Sequence, residues 1–481
     1  MRTLLVHPSN THIYQKINDV KAKVAAKHGK DTAKSPPIGI LYVASVLREN
    51  GYRDVAILDA EAENLSSEET VDRIKQYNPD VLGFTATTPI FPLSVELAIA
   101  AKDFNPNIKT VFGGPHISAL PVDSLDKKAV DFVVRNEGEY KMLDLVRALD
   151  SGGDFSKIGG IGWKRDDGTM MANPETVVSD GSGTVSVLEK LVSIGDGKKK
   201  SLIEELDGVP FPARDLTDKD LYRNLYTGER YTFLVTSRGC PAACTYCDSK
   251  VTFGRKTRFR SARNVVDEIK QVGEQFGITQ FTITDDTFTL NKRRTLELCQ
   301  LIIDENLDIK YYASSRADTM DKERAQMLKK SGCYMVTFGL ESGDPGIMER
   351  IKKNATVEQG REAVRVAKEA GLGTHASYMI GNPGETSETM QRTINYAHEL
   401  DTDFAQFSIA TPFPGTEMWD DAVRDGLIDP KETFDKFSWY YSPVFTAGDF
   451  DGETLKRIQK DAYDSYINRK AAKRFEPALI C

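Results

Sequence analysis

Two stretches of the chain alternate short apolar runs with segments of helical periodicity. In the first stretch, the apolar runs at 3–6, 55–58, 81–84, 110–112 and 131–134 predict strands, and the segments 38–49, 66–77, 93–104 and 140–149 have the spacing of amphipathic helices. This alternation predicts a parallel, doubly wound α/β sheet of the Rossmann type over residues 1–150. Ligands of such sheets bind at the carboxyl ends of the strands, so the loops there hold the candidate site.

The second stretch repeats the alternation over residues 230–415. Apolar runs predict strands at 231–236, 281–284, 310–313, 335–339, 374–380 and 404–409, and helical patterns occur at 262–276, 292–305, 322–330, 357–370 and 387–400. Six strand–helix units predict an open, partial (β/α)6 barrel that is similar to a TIM barrel. The chemistry of such a barrel is expected at the carboxyl ends of its strands.

The remaining segments lack this alternation. Residues 151–229 are rich in Gly, Ser, Asp and Lys and predict a connector, in which the lysines at 198–200 belong to a solvated loop. Residues 416–481 combine the aromatic-rich stretch 435–441 with a predicted helix at 452–475, and we interpret them as a C-terminal cap on the barrel. The polar insertion at 10–35 has helical spacing and predicts a surface helix.

Composition excludes several classes of protein. Of 481 residues, 40% are hydrophobic and 28% charged, which is typical of a globular protein, and the net charge of −8 argues against a nucleic-acid partner. No run of 18 apolar residues occurs, so no membrane span is expected. Of the six cysteines, three are clustered, which favours a cytoplasmic protein with free thiols over a disulfide framework.

The clustered cysteines carry the strongest chemical signal. Cys240, Cys244 and Cys247 follow a predicted strand with Cys-x3-Cys-x2-Cys spacing, and soft thiolates on one short loop suit a metal or an iron–sulfur cluster. Structural zinc sites normally have four Cys or His ligands, and no fourth lies nearby in the sequence. On a four-iron cluster, three thiolates leave one iron open to a further ligand. A zinc knuckle with a distant fourth ligand is the alternative.

This loop resembles that of the radical S-adenosylmethionine (SAM) enzymes. In that family the three cysteines bind a [4Fe–4S] cluster, and the open iron binds the amino and carboxylate groups of SAM. The aromatic residue before the last cysteine, here Tyr246, lies near the adenine. One electron then cleaves SAM to methionine and a 5′-deoxyadenosyl radical, so the resemblance implies an external one-electron reductant as a partner.

Polar or glycine-containing loops follow the later predicted strands of the barrel, and their residues suit SAM. Acidic side chains suit its ammonium group and its ribose hydroxyls, an arginine suits its carboxylate, and a glycine allows the backbone to approach the adenine. The candidate SAM-binding residues are Asp285, Asp286, Ser314, Arg316, Glu341 and Gly381. Tyr378, on a predicted strand, is a further candidate for contact with the substrate or cobalt.

The strand-end loops of residues 1–150 are rich in Gly, Thr and Pro. No G-x-G-x-x-G fingerprint follows the first strand, which argues against a dinucleotide. The loops resemble the cobalamin-binding domain of cobalamin-dependent radical SAM enzymes, whose members share a Pro-Pro-x-Gly helix entry, a Gly-Gly-Pro-His turn and a Glu-Gly-Glu turn. The corresponding candidate residues are Pro37, Gly39, Thr85, Thr87, Thr88, Gly113, Gly114, Pro115, His116, Glu137, Gly138 and Glu139.

The cobalt environment is left partly open by the sequence. The Asp-x-His-x-x-Gly motif of cobalamin mutases and methionine synthase is absent, so the resemblance implies base-off cobalamin without a histidine ligand and with its nucleotide tail buried in this domain. His116 lies in a different motif and is interpreted as either a structural turn residue or a ligand contact. A vestigial domain without cofactor is the alternative.

The resemblance implies a cobalamin-dependent radical SAM methyltransferase that moves a methyl group from SAM, by way of methylcobalamin, to an unactivated carbon. No side chain is needed as an acid or base, so no catalytic residue is assigned. The alternatives are ring formation, rearrangement or oxidation within the same class, and a non-catalytic cobalamin or SAM sensor. A methylthiotransferase would need a second cysteine set, and residues 1–230 contain no cysteine. The substrate stays open between peptide or protein side chains, such as a glutamine of methyl-coenzyme M reductase, and antibiotic precursors, lipids or tetrapyrroles.

Overall fold

A computed structural model describes residues 1–9, 34–165, 167–173, 176–179, 202–224, 227–430, 434, 437, 443–446 and 450–475. The chain folds as two compact units, the first formed by Met1–Phe233, Asp248–Arg258 and Thr433–Asp435, and the second by Leu234–Cys247, Phe259–Glu432 and Lys436–Cys481. The predicted insertion helix within 10–33, the lysines at 198–200 and most of the aromatic stretch at 435–441 lie outside the described residues.

The first unit contains an eight-stranded sheet with the order β2-β1-β3-β4-β5-β6-β7-β8. Its strands are Thr3–His7 (β1), Val55–Asp59 (β2), Val81–Thr85 (β3), Lys109–Gly113 (β4), Phe132–Val134 (β5), Ile161–Lys164 (β6), Met170–Ala172 (β7) and Thr176–Ser179 (β8). Strands β1 to β5 pair in parallel, which confirms the predicted doubly wound sheet. Strands β6 to β8 pair antiparallel and extend the sheet with residues from the predicted connector, where the sequence analysis predicted no strand.

Helices flank this sheet. They are Ile38–Glu49 (α1), Ser67–Tyr77 (α2), Phe91–Phe104 (α3), Pro115–Ala119 (α4), Pro121–Asp126 (α5), Glu139–Ser151 (α6) and Ser249–Thr252 (α7), with short 3₁₀ turns at Phe155–Lys157, Leu206–Gly208, Arg214–Leu216 and Lys219–Leu221. Helix α2 begins at a capping box, in which Ser66 accepts from the Glu69 backbone and Glu69 accepts from the Ser66 backbone. Val6, Leu82 and Phe112 are at most 3% exposed. Central parallel strands of this kind are apolar throughout because helices cover both faces.

The second unit is built on a six-stranded sheet with the order β16-β15-β14-β13-β12-β9, and its ladders from β12 to β16 are parallel. Its strands are Tyr231–Leu234 (β9), Gln280–Ile283 (β12), Lys310–Ser315 (β13), Cys333–Glu341 (β14), Gly373–Ile380 (β15) and Phe404–Ile409 (β16); Ser237–Arg238 (β10) pairs with Arg258–Phe259 (β11). The first and last strands of the order do not pair with each other, so the predicted open barrel is confirmed.

The helices of the second unit are Ala262–Phe276 (α8), Lys292–Asp304 (α9), Lys322–Lys330 (α10), Pro345–Arg350 (α11), Val357–Glu369 (α12), Ser387–Leu400 (α13), Glu417–Arg424 (α14) and Gly452–Phe475 (α15), with a 3₁₀ turn at Ala317–Thr319. Helix α15 covers the edge strand β16. Gln459 donates to the backbone oxygen of Phe407 over 2.6 Å, and the Phe407 backbone N–H donates to the hydroxyl of Tyr463 over 3.0 Å. These contacts protect an otherwise open sheet edge. No described helix is both long enough and apolar enough to cross a bilayer.

Candidate active site

The cysteine loop lies at the carboxyl end of β9 and is held by backbone hydrogen bonds. The N–H of Thr245 donates to Ile351 over 3.0 Å, and the N–H of Met418 donates to the oxygen of Thr245 over 2.9 Å. Cys244 is buried, whereas Cys240 and Cys247 are half-buried, and none of the three forms a disulfide. The loop is therefore anchored on both sides while its outer thiols stay accessible.

The three thiols do not form the ligand set of a mononuclear metal site. Within the described part of the chain, no three His, Cys, Asp or Glu side chains converge on one point as such an ion requires. The ligands of a four-iron cluster need not converge on one point, because each thiolate binds a different iron atom. The loop thus fits the predicted cluster better than the alternative zinc knuckle.

Arg316 places a positive charge beside this loop. Its Nη1 lies 3.9 Å from Sγ of Cys244, and its Nε and Nη2 each donate to Asp318 over 2.9 Å. Nη2 also donates to the backbone oxygen of Lys353 over 2.8 Å. Burial alone would lower the pKa of Arg316, but the hydrogen bonds and charge of Asp318 outweigh burial and raise this pKa above its usual value. The guanidinium therefore stays charged. A fixed cation next to a thiolate favours a negatively charged cluster.

Glu341, predicted as a SAM ligand, lies in a buried ion pair that the sequence analysis did not find. Its Oε1 accepts from Nζ of Lys353 over 2.7 Å, and the same Nζ lies 3.2 Å from the hydroxyl of Tyr246. The side chains of Lys353 and Glu341 are 7% and 12% exposed. Burial lowers the pKa of Lys353, but the Glu341 carboxylate raises it above the usual value. Lys353 thus connects two residues that the sequence had assigned to SAM.

The backbone conformation at Glu341 explains how its carboxylate reaches this position. Glu341 has a φ of 62°, in the left-handed region, and the pairing of β14 with β15 shifts register between Gly339 and Glu341. A Cβ at position 339 would lie 2.6 Å from Oε1 of Glu341, so a glycine there leaves room for the carboxylate. Residues in such strained conformations cluster at functional sites.

The two acidic residues after β12 differ in role. Asp285 is buried, and its carboxylate accepts three hydrogen bonds of 2.6 Å, from the backbone and hydroxyl of Thr236 and from the hydroxyl of Ser237. Asp285 therefore ties the start of the cysteine loop to β12. Asp286, in contrast, is exposed. The residue that follows it is Thr287, whose hydroxyl lies 3.9 Å from Sγ of Cys240. Of these two carboxylates, Asp286 is the better placed to meet a ligand.

The remaining barrel candidates, Ser314, Gly381 and Tyr378, differ in their burial and packing. Ser314 is half-buried near the end of β13. Gly381 has a φ of 77°, and a Cβ there would lie 3.1 Å from Leu455. Tyr378 is fully buried, with its ring 5.3 Å from that of Phe407 and 6.1 Å from that of Tyr396. Tyr396 belongs to α13, so Tyr378 packs between strand and helix and the expected substrate contact is not supported.

In the first unit, the Gly-Gly-Pro-His turn follows β4 and packs against the loop after β3. Gly114 has φ 102° and ψ −176°, a conformation essentially reserved for glycine. A Cβ there would lie 2.8 Å from the backbone oxygen of Ala86 and 3.2 Å from the hydroxyl of Thr85. Pro115 begins α4, where a missing N–H costs nothing. The turn is thus a close backbone contact between two ligand-side loops.

We expect Gly114→Ala to destabilise this turn and to weaken cobalamin binding. The strained backbone alone costs about 1–3 kcal/mol, and the contact with Ala86 adds to it. Gly113→Ala is the matched control for stability, because its Cβ would meet nothing closer than the Val134 oxygen at 3.7 Å. Thermal unfolding and an absorbance titration with cobalamin measure both variants. If Gly114→Ala had the stability and the cobalamin affinity of the wild-type protein, the assigned role of Gly114 would be contradicted.

His116 and its neighbours leave buried polar atoms available to a ligand. The His116 ring stacks 4.2 Å from that of Phe91, and its Nδ1 lies 3.2 Å from the hydroxyl of Thr88. Burial lowers the pKa of His116 to about 3, so the ring is neutral. Nε2 of His116 and the hydroxyl of Thr87 are buried and have no hydrogen-bond partner among the described residues. Buried polar atoms normally have a hydrogen-bond partner, and a bound ligand is one group that could supply it here.

Several of the remaining candidate residues of the first unit form contacts within the fold or lie at the start of a helix. Glu137 is buried, forms an ion pair of 2.6 Å with Arg258 and accepts from the N–H of Ile203 over 2.7 Å. Gly138 caps the amino end of α6, and the buried Glu139 is its first residue. Pro37 likewise precedes α1, and Gly39 lies exposed in its first turn.

Comparisons with known proteins match both regions of the chain. The model of the Radical SAM superfamily matches residues 234–397, and that of the B12 binding domain matches residues 29–146. An uncharacterised methyltransferase of Pyrococcus horikoshii is 36% identical over 435 residues, which cover 90% of this chain and 88% of the relative. The chain belongs to the cobalamin-dependent radical SAM methyltransferase family. The cytidylyl-2-hydroxyethylphosphonate methyltransferase of Streptomyces wedmorensis is 30% identical over 459 residues, covering 88% of this chain and 84% of the relative.

Solved structures show the same fold. The radical SAM methyltransferase TsrM from Kitasatospora setae, with cobalamin and a [4Fe–4S] cluster bound, matches with a TM-score of 0.67 and 21% identity over 88% of this chain and 75% of that one. The cobalamin-dependent radical enzyme OxsB, with aqua-cobalamin bound, matches with a TM-score of 0.61 and 19% identity over 90% of this chain and 56% of that one. At these identities the likeness concerns the fold.

This radical SAM enzyme uses a [4Fe–4S] cluster, SAM and cobalamin, as its sequence predicted. The residues present fit these groups. The loop of Cys240, Cys244 and Cys247 presents three free thiols without forming a mononuclear site. The turn after β4 brings two backbones close together and leaves the buried polar atoms of His116 and Thr87 without partners.

Proposed function

We propose that this enzyme transfers the methyl group of SAM to an unactivated carbon of its substrate. The observation that carries the proposal is the relationship to two methyltransferases, which are 36% and 30% identical and of which 88% and 84% are covered. When bound, the cluster and SAM supply a carbon-centred radical, and cobalamin supplies the methyl group. The task of the protein is to bind and align these groups.

We assign the radical chemistry to residues 230–415 and cobalamin binding to residues 1–150. Cys240, Cys244 and Cys247 bind the cluster, and the charge of Arg316 lies beside it. Glu341 and Tyr246 are assigned as the central SAM-binding residues, and Lys353 contacts the side chains of both. The further SAM contacts are assigned to Asp286, Ser314 and Gly381, with Asp285 as the residue that positions the loop. The cobalamin contacts are assigned to Pro37, Gly39, Thr85, Thr87, Thr88, Gly113, Gly114, Pro115, His116, Glu137, Gly138 and Glu139.

The acceptor is a substrate with an unactivated C–H bond, and several chemical classes fit. Relatives are named for a cytidylylated phosphonate, for hopanoids and for a bacteriochlorophyllide. A protein side chain, such as a glutamine of methyl-coenzyme M reductase, is the other candidate from the sequence. None of the five described cysteines forms a disulfide, which fits a reducing cytoplasm. Cleavage of SAM to a radical needs one electron, so an external one-electron reductant is part of the proposal.

The proposal is tested without knowledge of the substrate. The reconstituted holoenzyme is reduced and incubated with SAM that carries a deuterated methyl group, and the corrinoid fraction is analysed by mass spectrometry. We expect S-adenosylhomocysteine together with deuterated methyl on the extracted corrinoid. Formation of 5′-deoxyadenosine with no methyl on the corrinoid and no S-adenosylhomocysteine would contradict methyl transfer. Phosphonate, tetrapyrrole and glutamine-containing peptide acceptors are then compared by labelled product.

Ring formation is the second candidate function. Anaerobic magnesium-protoporphyrin IX monomethyl ester cyclases of Rubrivivax gelatinosus and Cereibacter sphaeroides are 28% and 27% identical, and each match covers 98% of this chain. The isotope experiment separates the two functions, because a cyclase consumes SAM to 5′-deoxyadenosine and does not transfer its methyl group.

A further inference from the structure

A buried polar group joins the carboxyl ends of β1 and β2 and is not among the predicted site residues. His7 is the last residue of β1, and Asp59 is the last residue of β2. Nδ1 of His7 lies 2.9 Å from Oδ1 of Asp59. The other carboxylate oxygen accepts from the hydroxyl of Tyr222 over 2.6 Å, and Oδ1 also accepts from the N–H of Ala62 over 3.0 Å. Three groups from three parts of the chain thus hold one carboxylate.

This arrangement determines which nitrogen of His7 is available. An ionised carboxylate only accepts hydrogen bonds, so Nδ1 of His7 carries the proton that Asp59 accepts. The lone pair of the neutral ring then lies on Nε2. Among the described residues, Nε2 of His7 has no hydrogen-bond partner, and the side chain is 18% exposed. The carboxylate of Asp59 thus orients the His7 ring, and Nε2 is the nitrogen left to accept.

His7 also lies where the fold places its ligand. Strand β1 is flanked by β2 on one side and β3 on the other, so the chain order reverses between β1 and β3. Doubly wound sheets of this order bind their cofactor at the strand ends of that switch point. Val6 pairs with Phe84, so His7 lies next to Thr85 at this edge.

A histidine whose other nitrogen donates to a carboxylate is the usual arrangement of a metal ligand, because the carboxylate orients the ring and increases its basicity. We propose that Nε2 of His7 ligates the cobalt of bound cobalamin on one face, with Asp59 and Tyr222 as positioning residues. This replaces the expectation of a cobalt centre without a histidine ligand. His116 is unsuited to this role, because it is 1% exposed and its ring packs against Phe91 and Phe434.

The test is electron paramagnetic resonance of the holoenzyme reduced to the paramagnetic cob(II)alamin state, prepared with unlabelled cobalamin and protein that contains ¹⁵N-histidine. Coordination by a protein histidine gives a doublet splitting of the cobalt lines, because ¹⁵N has spin one-half. We expect this doublet, and we expect a triplet when the protein is unlabelled. A triplet from the labelled protein would show coordination by the cofactor's own base, and lines without nitrogen splitting would show a weakly ligated cobalt. Either result would overturn the proposal.

Variants assign the nitrogen to one residue. His7→Gln is expected to lose the doublet while cobalamin remains bound, whereas Tyr222→Phe, which keeps the ring and Asp59, is expected to retain it. Persistence of the doublet in His7→Gln would assign the nitrogen elsewhere and overturn the proposal. If His7→Gln does not fold, the labelled wild-type spectrum still decides whether a histidine is coordinated. Since no turnover is measured, failure of the methyl-transfer assay would not affect this result.

Discussion

Replacing Cys244 with alanine is expected to abolish cluster assembly and all SAM cleavage. Cys244 is the buried member of the three-thiol loop, and Arg316 lies 3.9 Å from its sulfur. A four-iron cluster held by only two thiolates loses one of its protein ligands and is expected to dissociate. Iron and sulfide content should fall close to zero, and no 5′-deoxyadenosine should form above background. Cobalamin content should stay at the wild-type level, because the assigned cobalamin residues belong to the other unit.

Cys299→Ala is the matched control for this prediction. Cys299 is fully buried in α9, and its sulfur lies 3.7 Å from the hydroxyl of Tyr311, away from the cysteine loop. Loss of a buried sulfur there is expected to lower stability by about 1 kcal/mol and to leave iron content unchanged. A Cys244→Ala enzyme with full iron content and radical formation would refute the assignment of the loop.

Replacing Lys353 with methionine is expected to cost about 3–5 kcal/mol of unfolding free energy, because it leaves the buried carboxylate of Glu341 without its counter-charge. SAM binding should weaken as well, since Lys353 also contacts the hydroxyl of Tyr246. The double variant Lys353→Met/Glu341→Gln removes the uncompensated charge and should recover most of the stability, but it should not recover SAM affinity. Anaerobic denaturant unfolding and equilibrium dialysis with SAM measure the two effects separately.

The neighbouring lysine provides the control for this experiment. Lys352 forms a 2.5 Å ion pair with Glu417, but the two side chains are 50% and 36% exposed. An exposed pair contributes about 0–1 kcal/mol, so Lys352→Met should be nearly neutral for stability and for SAM affinity. If Lys353→Met were as mild as Lys352→Met, the buried pair would not be the support of the SAM site.

The sequence by itself determined those features that depend on short windows of chain. Short apolar runs and helical patterns predicted the five parallel strands of the first unit and the six strands of the open barrel, because the apolar residues within one short segment indicate whether that segment is buried. The spacing of Cys240, Cys244 and Cys247 indicated a cluster in the same way, since all three ligands come from one loop. The Gly-Gly-Pro-His turn was predicted from the resemblance to cobalamin-binding domains, and the structure adds the reason for its second glycine, because Gly114 has a φ of 102°.

Only the tertiary structure showed which candidate residues bond to distant parts of the fold. Asp285 bonds to Thr236, 49 residues away, and Lys353 contacts Tyr246 from a distance of 107 residues. His7 and Asp59 are 52 residues apart in sequence, and Tyr222 joins them from 163 residues further along. Such contacts arise when strand ends are brought to one edge of a sheet, and no local periodicity encodes their partners. The sequence analysis did not predict the antiparallel strands β6 to β8, because strands of three or four residues give too short a pattern and are defined by the neighbours with which they pair.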